Sequence, residues 1–537
     1  MLSAGCAIER PEPPAGVLSV SIEQTSAWVR NFNPLLPAGA GRWPTRNGIY
    51  EPLQIYNGVT HRWVPWLGSE ATWSDDLRTL RVSVRRGVRW SDGAPFTADD
   101  VVFTFELLRK HKVFDSNDVW SFLESVRTGD GQTVEMRLSR VFVPGMDSLL
   151  QQPIVPRHIW EKIADPMTFT NPEPVGTGPF TEVRVFRNQV YELGKNPYYW
   201  QAGKPAVDGL RFLAFPSNDQ ANMALIEGAV DWSANFVPAI DRTFVARDPK
   251  DNHYWSPLFG STVFLYANTA RAPFGDVRIR KALSRAIDRD KLVQVAMYGY
   301  TRPADATGLS DAYADLRDAE AGAADWMRYD TAAANALLDE AGALRGPDGM
   351  RRTAEGSPLR IEIQVVSGWS DWVRGGQVIA SALREVGVDA KLRLYDMSAW
   401  IDHLQRGDFD MAIAWSGEGP TPYRFYRWLM SPETVTPLGQ VAASNWHRFG
   451  DARAGELLQA FERTSDPAEQ KRLMHDVERR FVELVPAIPL FPGPLWGAYR
   501  TRRFEGFPNA DNPYAKLTPN AAPEALLVLV ELRPKVK

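Results

Sequence analysis

Residues 359–394 read LRIEIQVVSGWSDWVRGGQVIASALREVGVDAKLRL and contain the clearest secondary-structure pattern of the chain. Apolar and polar side chains alternate over residues 359–365, which is the period of a β-strand. Ser370 can cap the helix that follows, Gly387 ends it, and residues 388–394 alternate again. Strand, helix and strand at this spacing predict a βαβ unit with a right-handed crossover, and hence an α/β fold.

A second segment, residues 210–232, is built in the same way. A predicted strand is followed there by a helix and by another short strand. The joint at 225–231 shares the pattern Leu-x-x-Gly-x-apolar-Asp with the joint at 404–410. Two segments on one plan predict two α/β lobes with a cleft between them. Because ligands of open α/β sheets lie beyond the carboxyl ends of the strands, Trp232 and Trp415 are expected near that cleft.

Other elements are predicted from the same periodicities. Residues 280–297 are predicted to form one long amphipathic helix. Residues 79–84 alternate as a strand, and Thr97 is expected to cap a helix that follows. The short apolar run 525–530 is predicted to be a buried strand.

The composition excludes several classes of protein. The chain has 537 residues, of which 61 are basic and 65 acidic, with a net charge of −4. This length accommodates about three or four domains. The near-neutral balance lacks the positive charge expected of a nucleic-acid-binding protein. A single cysteine excludes an internal disulfide and a CxxC metal site, whereas the 19 tryptophans are more than a core needs.

The common catalytic and cofactor motifs are missing from the sequence. The seven histidines include no pair at HxxxH spacing, and no GxSxG, SxxK, GxxxxGK or GxGxxG motif occurs. Asp99 and Asp100 are adjacent carboxylates, but they lie in the first turn of a predicted helix, where the helix dipole favours acidic residues. We therefore predict that the protein is not an enzyme and holds neither a metal nor a cofactor.

The first residues resemble the cleavage site of a bacterial lipoprotein. The chain opens with Met1-Leu-Ser-Ala-Gly-Cys6, in which small residues precede a cysteine. Cys6 is therefore predicted to be a lipid anchor. Residues 9–16 are proline-rich and polar, so residues 1–16 are predicted to form an N-terminal tether. No stretch of the sequence approaches the ~20 apolar residues that span a bilayer.

Five motifs follow one another along the chain at residues 82–108, 176–180, 196–200, 277–290 and 407–410. The first reads VSVRRGVRWSDGAPFTADDVVFTFELL and the second reads GTGPF. In sequence and in order, these motifs resemble those of the family 5 extracellular solute-binding proteins. Members of that family deliver peptides, nickel or oligosaccharides to ABC importers.

The resemblance implies the class II periplasmic-binding-protein fold, an α/β fold of the cluster C type with two lobes, a hinge and three domains. Domain I is implied to be discontinuous and to combine residues 17–50, 176–266 and 490–537. Domain II is implied to be an insertion at residues 51–175. Domain III is implied to cover residues 267–489 and to carry the βαβ unit.

Three stretches are more similar to the branch of the family that binds cello- and other β-oligosaccharides than to the peptide-binding branch. They are residues 230–238, 367–372 and 506–514. Peptide binders of the family hold the α-amino group of the ligand with an aspartate, shortly after the strand that ends here at Trp415. This chain has Ser-Gly-Glu-Gly at that place, so Glu418 is the candidate substitute for the aspartate.

A β-linked glucan presents flat apolar C–H faces, which need aromatic platforms, and equatorial hydroxyls, which need fixed polar groups. Tryptophan supplies the largest platform and one N–H donor, and planar polar side chains can take two hydroxyls each. Trp90, Trp200 and Trp400 are expected to be structural. The candidate ligand-binding residues combine tryptophans with polar residues beside them or at positions that the resemblance implies to border the cleft: Trp232, Asn235, Trp369, Asp371, Trp372, Trp415, Glu418, Trp446, Trp496, Asn33 and Asn268.

These observations predict a periplasmic or extracytoplasmic substrate-binding protein of an ABC importer, anchored to the membrane by lipid at Cys6. We expect a monomer that captures a cello-, manno- or xylo-type oligosaccharide between its lobes and passes it to a permease in the inner membrane. An oligopeptide-binding protein on the same fold is the first alternative. An extracytoplasmic glycosidase is the second.

Overall fold

The structure is a computed structural model that describes residues 15–22, 24–36, 48–353 and 356–535. Cys6, the predicted lipid anchor, and nearly all of the predicted tether lie outside the described residues. Within the ranges given, none of the helices is both long enough and apolar enough to cross a membrane.

The secondary-structure elements are named in chain order. The strands are β1 (Val17–Ser21), β2 (Gln54–Asn57), β3 (Arg62–Pro65), β4 (Gly68–Trp73), β5 (Thr79–Val84), β6 (Leu123–Thr128), β7 (Thr133–Leu138), β8 (Phe180–Arg187), β9 (Val190–Lys195), β10 (Gly209–Leu213), β11 (Trp232–Ser233), β12 (Asn252–Tyr254), β13 (Thr262–Ala267), β14 (Arg360–Val366), β15 (Asp389–Tyr395), β16 (Met411–Trp415), β17 (Ile488–Pro492), β18 (Ala498–Arg500), β19 (Phe504–Glu505) and β20 (Arg533–Pro534). The α-helices are α1 (Ala98–Lys110), α2 (Gly145–Leu150), α3 (Arg157–Trp160), α4 (Asn218–Ile226), α5 (Ile240–Thr243), α6 (Val277–Ala286), α7 (Arg289–Met297), α8 (Ala319–Gly322), α9 (Thr331–Glu340), α10 (Ser370–Glu385), α11 (Met397–Arg406), α12 (Tyr423–Met430), α13 (Ala452–Glu462), α14 (Pro467–Leu484) and α15 (Ala525–Glu531).

Most of these strands belong to three sheets. The first lobe has a seven-stranded sheet of order β12-β18-β11-β1-β10-β9-β8. The second lobe has a five-stranded sheet of order β15-β14-β16-β13-β17. A four-stranded antiparallel sheet, β4-β5-β7-β6, is inserted in the chain between β1 and β8. Two α/β lobes and an inserted sheet are the architecture of the class II periplasmic-binding-protein fold, as predicted.

The βαβ unit predicted from residues 359–394 is present in the second lobe. β14 and β15 pair in parallel, with Ile361 opposite Ala390, and α10 connects them. The helix begins at Ser370, and Gly387 follows its end with a φ of +86°, a backbone conformation that favours glycine. Alternation and a glycine stop were therefore sufficient to predict this part of the sheet.

Two predictions about secondary structure are wrong. Residues 525–530 form most of α15 rather than a strand, because a short run of apolar residues is typical of buried helices and buried strands alike. The helix predicted over residues 280–297 is two helices, α6 and α7. The break occurs because Ile287 has extended backbone dihedrals and Asp288 accepts a hydrogen bond from Lys291 N at 2.9 Å as the cap of α7.

A buried arginine joins two helices of the second lobe. Arg280, on α6, donates from Nε to the carbonyl of Val485 at 2.7 Å, from Nη1 to that of Phe274 at 2.6 Å and from Nη2 to that of Leu484 at 2.7 Å. Leu484 is the last residue of α14, so the guanidinium satisfies carbonyls that the end of a helix leaves free. Burial lowers the pKa of Arg280 to about 10, and the side chain therefore stays charged at neutral pH.

The sheet of the second lobe bears on two of the predicted domain boundaries. β13 and β17 both lie in this sheet, where they pair with each other and β13 also pairs with β16. The predicted boundaries at residues 266/267 and 489/490 therefore pass through strands of a single sheet. We place them before β13 and after β17, and the division into domains by residue otherwise stays a prediction.

Candidate ligand-binding cleft

In the first lobe, three polar residues follow the carboxyl ends of neighbouring parallel strands. β1 pairs in parallel with both β10 and β11, and Gln24, Asn218 and Asn235 come after these strands in that order. The side chain of Asn235 is fixed, because Nδ2 donates to the hydroxyls of Ser21 and Ser233 at 3.0 and 2.8 Å. Its Oδ1 accepts from Gln24 Nε2 at 2.6 Å. This edge of the sheet therefore carries a row of amides, one of them held in place.

In the second lobe, aromatic and acidic residues follow the ends of β14 and β16, which also run parallel. Trp369, Asp371 and Trp372 come after β14, at the start of α10. Trp415 is the last residue of β16, and Glu418 follows in the next loop. Because parallel strands end at one side of a sheet, all five predicted residues lie along the same edge.

The two edges face each other and touch. The backbone N of Asn218 donates to the carbonyl of Gly368 at 3.2 Å, and Asn218 Nδ2 donates to Asp371 Oδ1 at 3.4 Å. Gly368 packs so closely on the opposite lobe that an added Cβ would lie 2.9 Å from the carbonyl oxygen of Pro216. The cleft between the lobes therefore runs along these two edges.

The dominant feature of the second lobe's edge is a set of tryptophans in contact with one another. Trp369, Trp372 and Trp415 are half-buried, and we call these three the tryptophan platform. The ring centroids of Trp369 and Trp372 are 4.7 Å apart and their planes are nearly perpendicular. Trp400 and Trp446 are buried behind Trp415, with ring centroids at 5.1 and 5.7 Å from it. The platform is thus supported from behind by further indoles.

Asp371 is a buried carboxylate at this edge. Burial raises its pKa to about 6, although the backbone N–H groups at the start of α10, the positive charge of Arg374 and the amide of Asn218 act in the opposite direction. Charging Asp371 is therefore costly unless further donors reach it. A bound ligand with hydroxyl groups would supply such donors.

The raised pKa predicts a pH-dependent cost to stability. Because folded Asp371 has the higher pKa, the folded protein binds this proton more tightly than the unfolded chain, so its contribution to stability falls as pH rises from about 4 to about 6 and is constant above that. We expect Asp371→Asn to gain about 2 kcal/mol in unfolding free energy relative to wild type between the two ends of this range. Urea unfolding at both pH values measures this difference.

The control for the Asp371 experiment is Asp402→Asn, which removes an exposed carboxylate from α11. A gain that is the same at both pH values, or that Asp402→Asn reproduces, would contradict the raised pKa of Asp371.

Glu418 is already paired with a lysine from the opposite lobe. Lys516 Nζ lies 3.3 Å from Glu418 Oε2 and 3.9 Å from Glu524 Oε2. The segment that carries Lys516 packs on the first lobe, where the carbonyl of Leu517 accepts the indole N–H of Trp232 at 2.6 Å. Burial alone would lower the pKa of Lys516, but the two carboxylates raise it above its ordinary value. The charge of Glu418 is therefore compensated across the cleft.

Two further contacts join the inserted region to the second lobe. Arg424 Nη1 lies 3.5 Å from Asp147 Oδ2, and Tyr56 Oη donates to the carbonyl of Pro420 at 3.4 Å. Together with the pair formed by Glu418 and Lys516, we call these the rim contacts. They show that the loop after β16 is held from the other side of the cleft.

The structure gives two of the predicted tryptophans a packing role. Trp232 is 1% exposed, packs against Phe507 and donates its indole N–H to the carbonyl of Leu517. Trp446 is 2% exposed and lies between Trp415 and Trp428. Trp232 is the first residue of β11 and Trp446 precedes α13, and the exposure of each ring depends on the residues that pack over it.

Asn33 and Asn268 are corrected from cleft residues to structural residues. Each side chain is completely buried. Asn33 Nδ2 donates to the carbonyls of Pro166 and Phe169 at 3.1 and 2.9 Å. Asn268 Nδ2 donates to two carbonyls of the loop at 407–409, at 2.9 and 3.1 Å. Both hydrogens of each amide are therefore used within the protein, and neither side chain offers a donor to a ligand.

Trp496 lies on the crossing between the two large sheets, after β17 and before β18. It is half-buried, with its ring centroid 5.2 Å from that of Phe236. Trp496, Asn235, Tyr254 and Tyr300 line one small pocket, to which both lobes contribute. Trp496 therefore borders the cleft at its hinge side.

Sequence reasoning missed Gln24, Asn218, Arg374 and Lys516. Gln24 and Asn218 follow the ends of β1 and β10, so the rule that selected Trp415 could have found them. No local pattern marks Lys516, because its role depends on contacts between distant segments. Across the described part of the chain, no group of three or more His, Cys, Asp or Glu side chains is arranged to hold a metal ion.

Two lobes whose sheet edges meet across an aromatic cleft define a protein that binds a solute between its domains. A model of the bacterial extracellular solute-binding proteins, family 5 Middle, matches residues 62–436. The chain belongs to this family, and it is a substrate-binding protein of the kind that serves ABC importers.

Several relatives match over most of the chain. The nickel-binding periplasmic protein of Escherichia coli (strain K12) is 26% identical over 487 residues, which are 87% of this chain and 88% of that protein. The glutathione-binding protein GsiB of Salmonella choleraesuis (strain SC-B67) is 25% identical over 458 residues, 81% of each chain. A mannohexaose-bound periplasmic oligopeptide-binding protein of an ABC transporter from Thermotoga maritima has a TM-score of 0.88 and 26% identity, covering 98% of this chain and 100% of that one.

Proposed function

We propose that this protein captures a β-linked oligosaccharide of the cello, manno or xylo type and delivers it to an ABC permease. The observation that carries this proposal is the tryptophan platform, which lies on the edge of the second lobe that contacts the amide-bearing edge of the first lobe. Both edges come from one chain, so a single copy completes the site.

The chemistry of the two edges suits a sugar. Indole faces can stack on the apolar C–H faces of pyranose rings, and the three rings of the platform offer more than one such surface. Asn218 and Asp371 can accept or donate along the hydroxyl-bearing edges, whereas Asn235, whose two amide hydrogens are used by Ser21 and Ser233, can only accept. The hydrogen bonds that Asp371 accepts do not offset the cost of its burial, and its pKa is therefore raised.

A peptide ligand is the alternative that the names of several relatives favour. The mannohexaose-bound relative from Thermotoga maritima supports a sugar, although that protein is named an oligopeptide-binding protein. Glu418 would be the partner for a peptide's α-amino group, but Lys516 already compensates its charge at 3.3 Å. This pairing favours a neutral ligand over a cationic one.

Catalysis is not part of the proposal. The relatives described above are named as binding proteins. The lipid anchor at Cys6 stays a prediction.

Calorimetry with cello-, manno- and xylo-tetraose beside a library of short peptides tests the proposal. We expect saturable binding of at least one tetraose. Tight binding of peptides with no response to any of the sugars would contradict the oligosaccharide proposal. Release of reducing ends during the incubation would favour a glycosidase instead.

A further inference from the structure

Arg374 lies at the junction of the lobes, close to the cleft residues already described. It is on α10, three residues after Asp371, so the two side chains share one face of the first helical turns. Its guanidinium carbon lies 5.0 Å from the ring centroid of Tyr298. Its charge lowers the pKa of Asp371, against the larger effect of burial.

Two neighbours of Arg374, Asp371 and Tyr298, each contact the first lobe. Asp371 accepts a hydrogen bond from Asn218 of the first lobe at 3.4 Å. The ring of Tyr298 is 6.0 Å from that of Phe236, which follows β11 of the first lobe. The guanidinium of Arg374 therefore lies next to residues through which the two lobes touch.

One nitrogen of this guanidinium has no partner. Nη1 of Arg374 is buried and has no acceptor among the residues that the structure describes. Arg280, by contrast, uses all three of its nitrogens on carbonyls. A buried charged donor without an acceptor is costly, so native proteins rarely leave one without a functional reason.

We infer that Arg374 is a ligand-binding residue whose Nη1 donates to an oxygen of the bound oligosaccharide. This inference rests on the proposed function and adds a specific contact to it. The planar fork of a guanidinium suits two adjacent sugar hydroxyls or the carboxylate of a uronic acid, which share the chemistry of paired oxygen acceptors. The stack on Tyr298 and the nearby Asp371 hold the guanidinium in place for either kind of acceptor, hydroxyl or carboxylate.

The experiment compares Arg374→Met, Arg374→Lys and the control Arg384→Met, which removes an exposed arginine about 15 Å further along the same helix. Dissociation constants are measured by calorimetry with the tetraose that the wild type binds and with a tetramer that contains uronic acid. The urea midpoint of each protein is measured without ligand.

We expect Arg374→Met to weaken binding by about tenfold or more, Arg374→Lys to recover part of that loss, and Arg384→Met to bind like wild type. The midpoint of Arg374→Met should change little, because the loss of the Tyr298 stack and of the favourable charge beside Asp371 is offset by removal of a buried donor that has no acceptor. An equal loss for both sugars identifies hydroxyl acceptors, and a larger loss for the uronate identifies a carboxylate.

Two results overturn the inference. The first is a dissociation constant of Arg374→Met within about twofold of wild type. The second is a lowered midpoint with a loss of binding that Arg384→Met also shows. If the wild type binds no sugar, the proposed function is wrong, independently of the role of Arg374. The same variants are then titrated with the peptide that does bind. A tenfold loss of peptide affinity in Arg374→Met would support a role for Arg374 in ligand binding, and the absence of that loss would contradict it.

Discussion

Trp372→Ala is expected to weaken oligosaccharide binding by about thirtyfold, which corresponds to about 2 kcal/mol. Trp372 is half-buried at the start of α10, on the edge of the second lobe that meets the first lobe, and its ring packs against Trp369. An indole that stacks on a pyranose removes apolar surface of both partners from water, and alanine cannot replace that contact. Trp372→Phe should retain part of the affinity, since a smaller ring keeps some of the stack.

The matched control for Trp372 is Trp120→Ala. Trp120 is also half-buried, but it lies in the inserted region, where its Nε1 donates to the carbonyl of Phe105 at 2.9 Å. Calorimetry and thermal melting of both variants separate a lost ligand contact from a general loss of stability. An unchanged dissociation constant in a Trp372→Ala protein that melts normally would remove Trp372 from the proposed site.

Arg280→Met is expected to destabilise the second lobe by about 3–5 kcal/mol. The substitution leaves the carbonyls of Phe274, Leu484 and Val485 without their donor, and the contacts to Phe274 and Val485 are buried. Each unpaired buried carbonyl costs about 1–3 kcal/mol, whereas the apolar methionine recovers only part of the packing. The loss should appear as an earlier transition of the second lobe in urea.

Arg278→Met controls for the loss of an arginine from the same helix. Arg278 is two residues away on α6, is half-exposed and pairs with Asp276 at 2.7 Å on the surface. Removing it should cost at most about 1 kcal/mol, because exposed ion pairs contribute little. Equal midpoints for Arg280→Met and Arg278→Met would show that the carbonyl contacts of Arg280 are not important for stability.

Short sequence patterns were sufficient to predict elements that depend on residues close together in the chain. Alternation predicted β14 and β15, and the Thr97 cap is confirmed by its capping box with Asp100. The pattern failed for α15, because its six apolar residues are not interrupted by polar residues whose spacing would distinguish a helix from a strand. It also failed at Ile287, where extended dihedrals and the Asp288 cap separate two helices that share one amphipathic pattern.

Only those residues of the site that lie at the ends of strands could be predicted from the sequence. Trp369, Trp372 and Trp415 follow two parallel strands, and this order alone places them together. The burial of Trp232 and the saturated amides of Asn33 and Asn268 depend on segments far away in the chain, so the sequence contains no local sign of them. The same reason explains why Lys516 and Arg374 were missed.

The rim contacts have a consequence for how affinity is set. They are made by protein atoms alone, so their free energy belongs to closure of the lobes and not to any particular ligand. The apparent dissociation constant equals the intrinsic constant divided by the fraction of molecules in the binding-competent form. A weaker ion pair between Arg424 and Asp147 would therefore scale the affinity for every ligand by one common factor and preserve their ranking. Evolution can thus adjust how readily the protein releases its cargo without rebuilding the surface that recognises it.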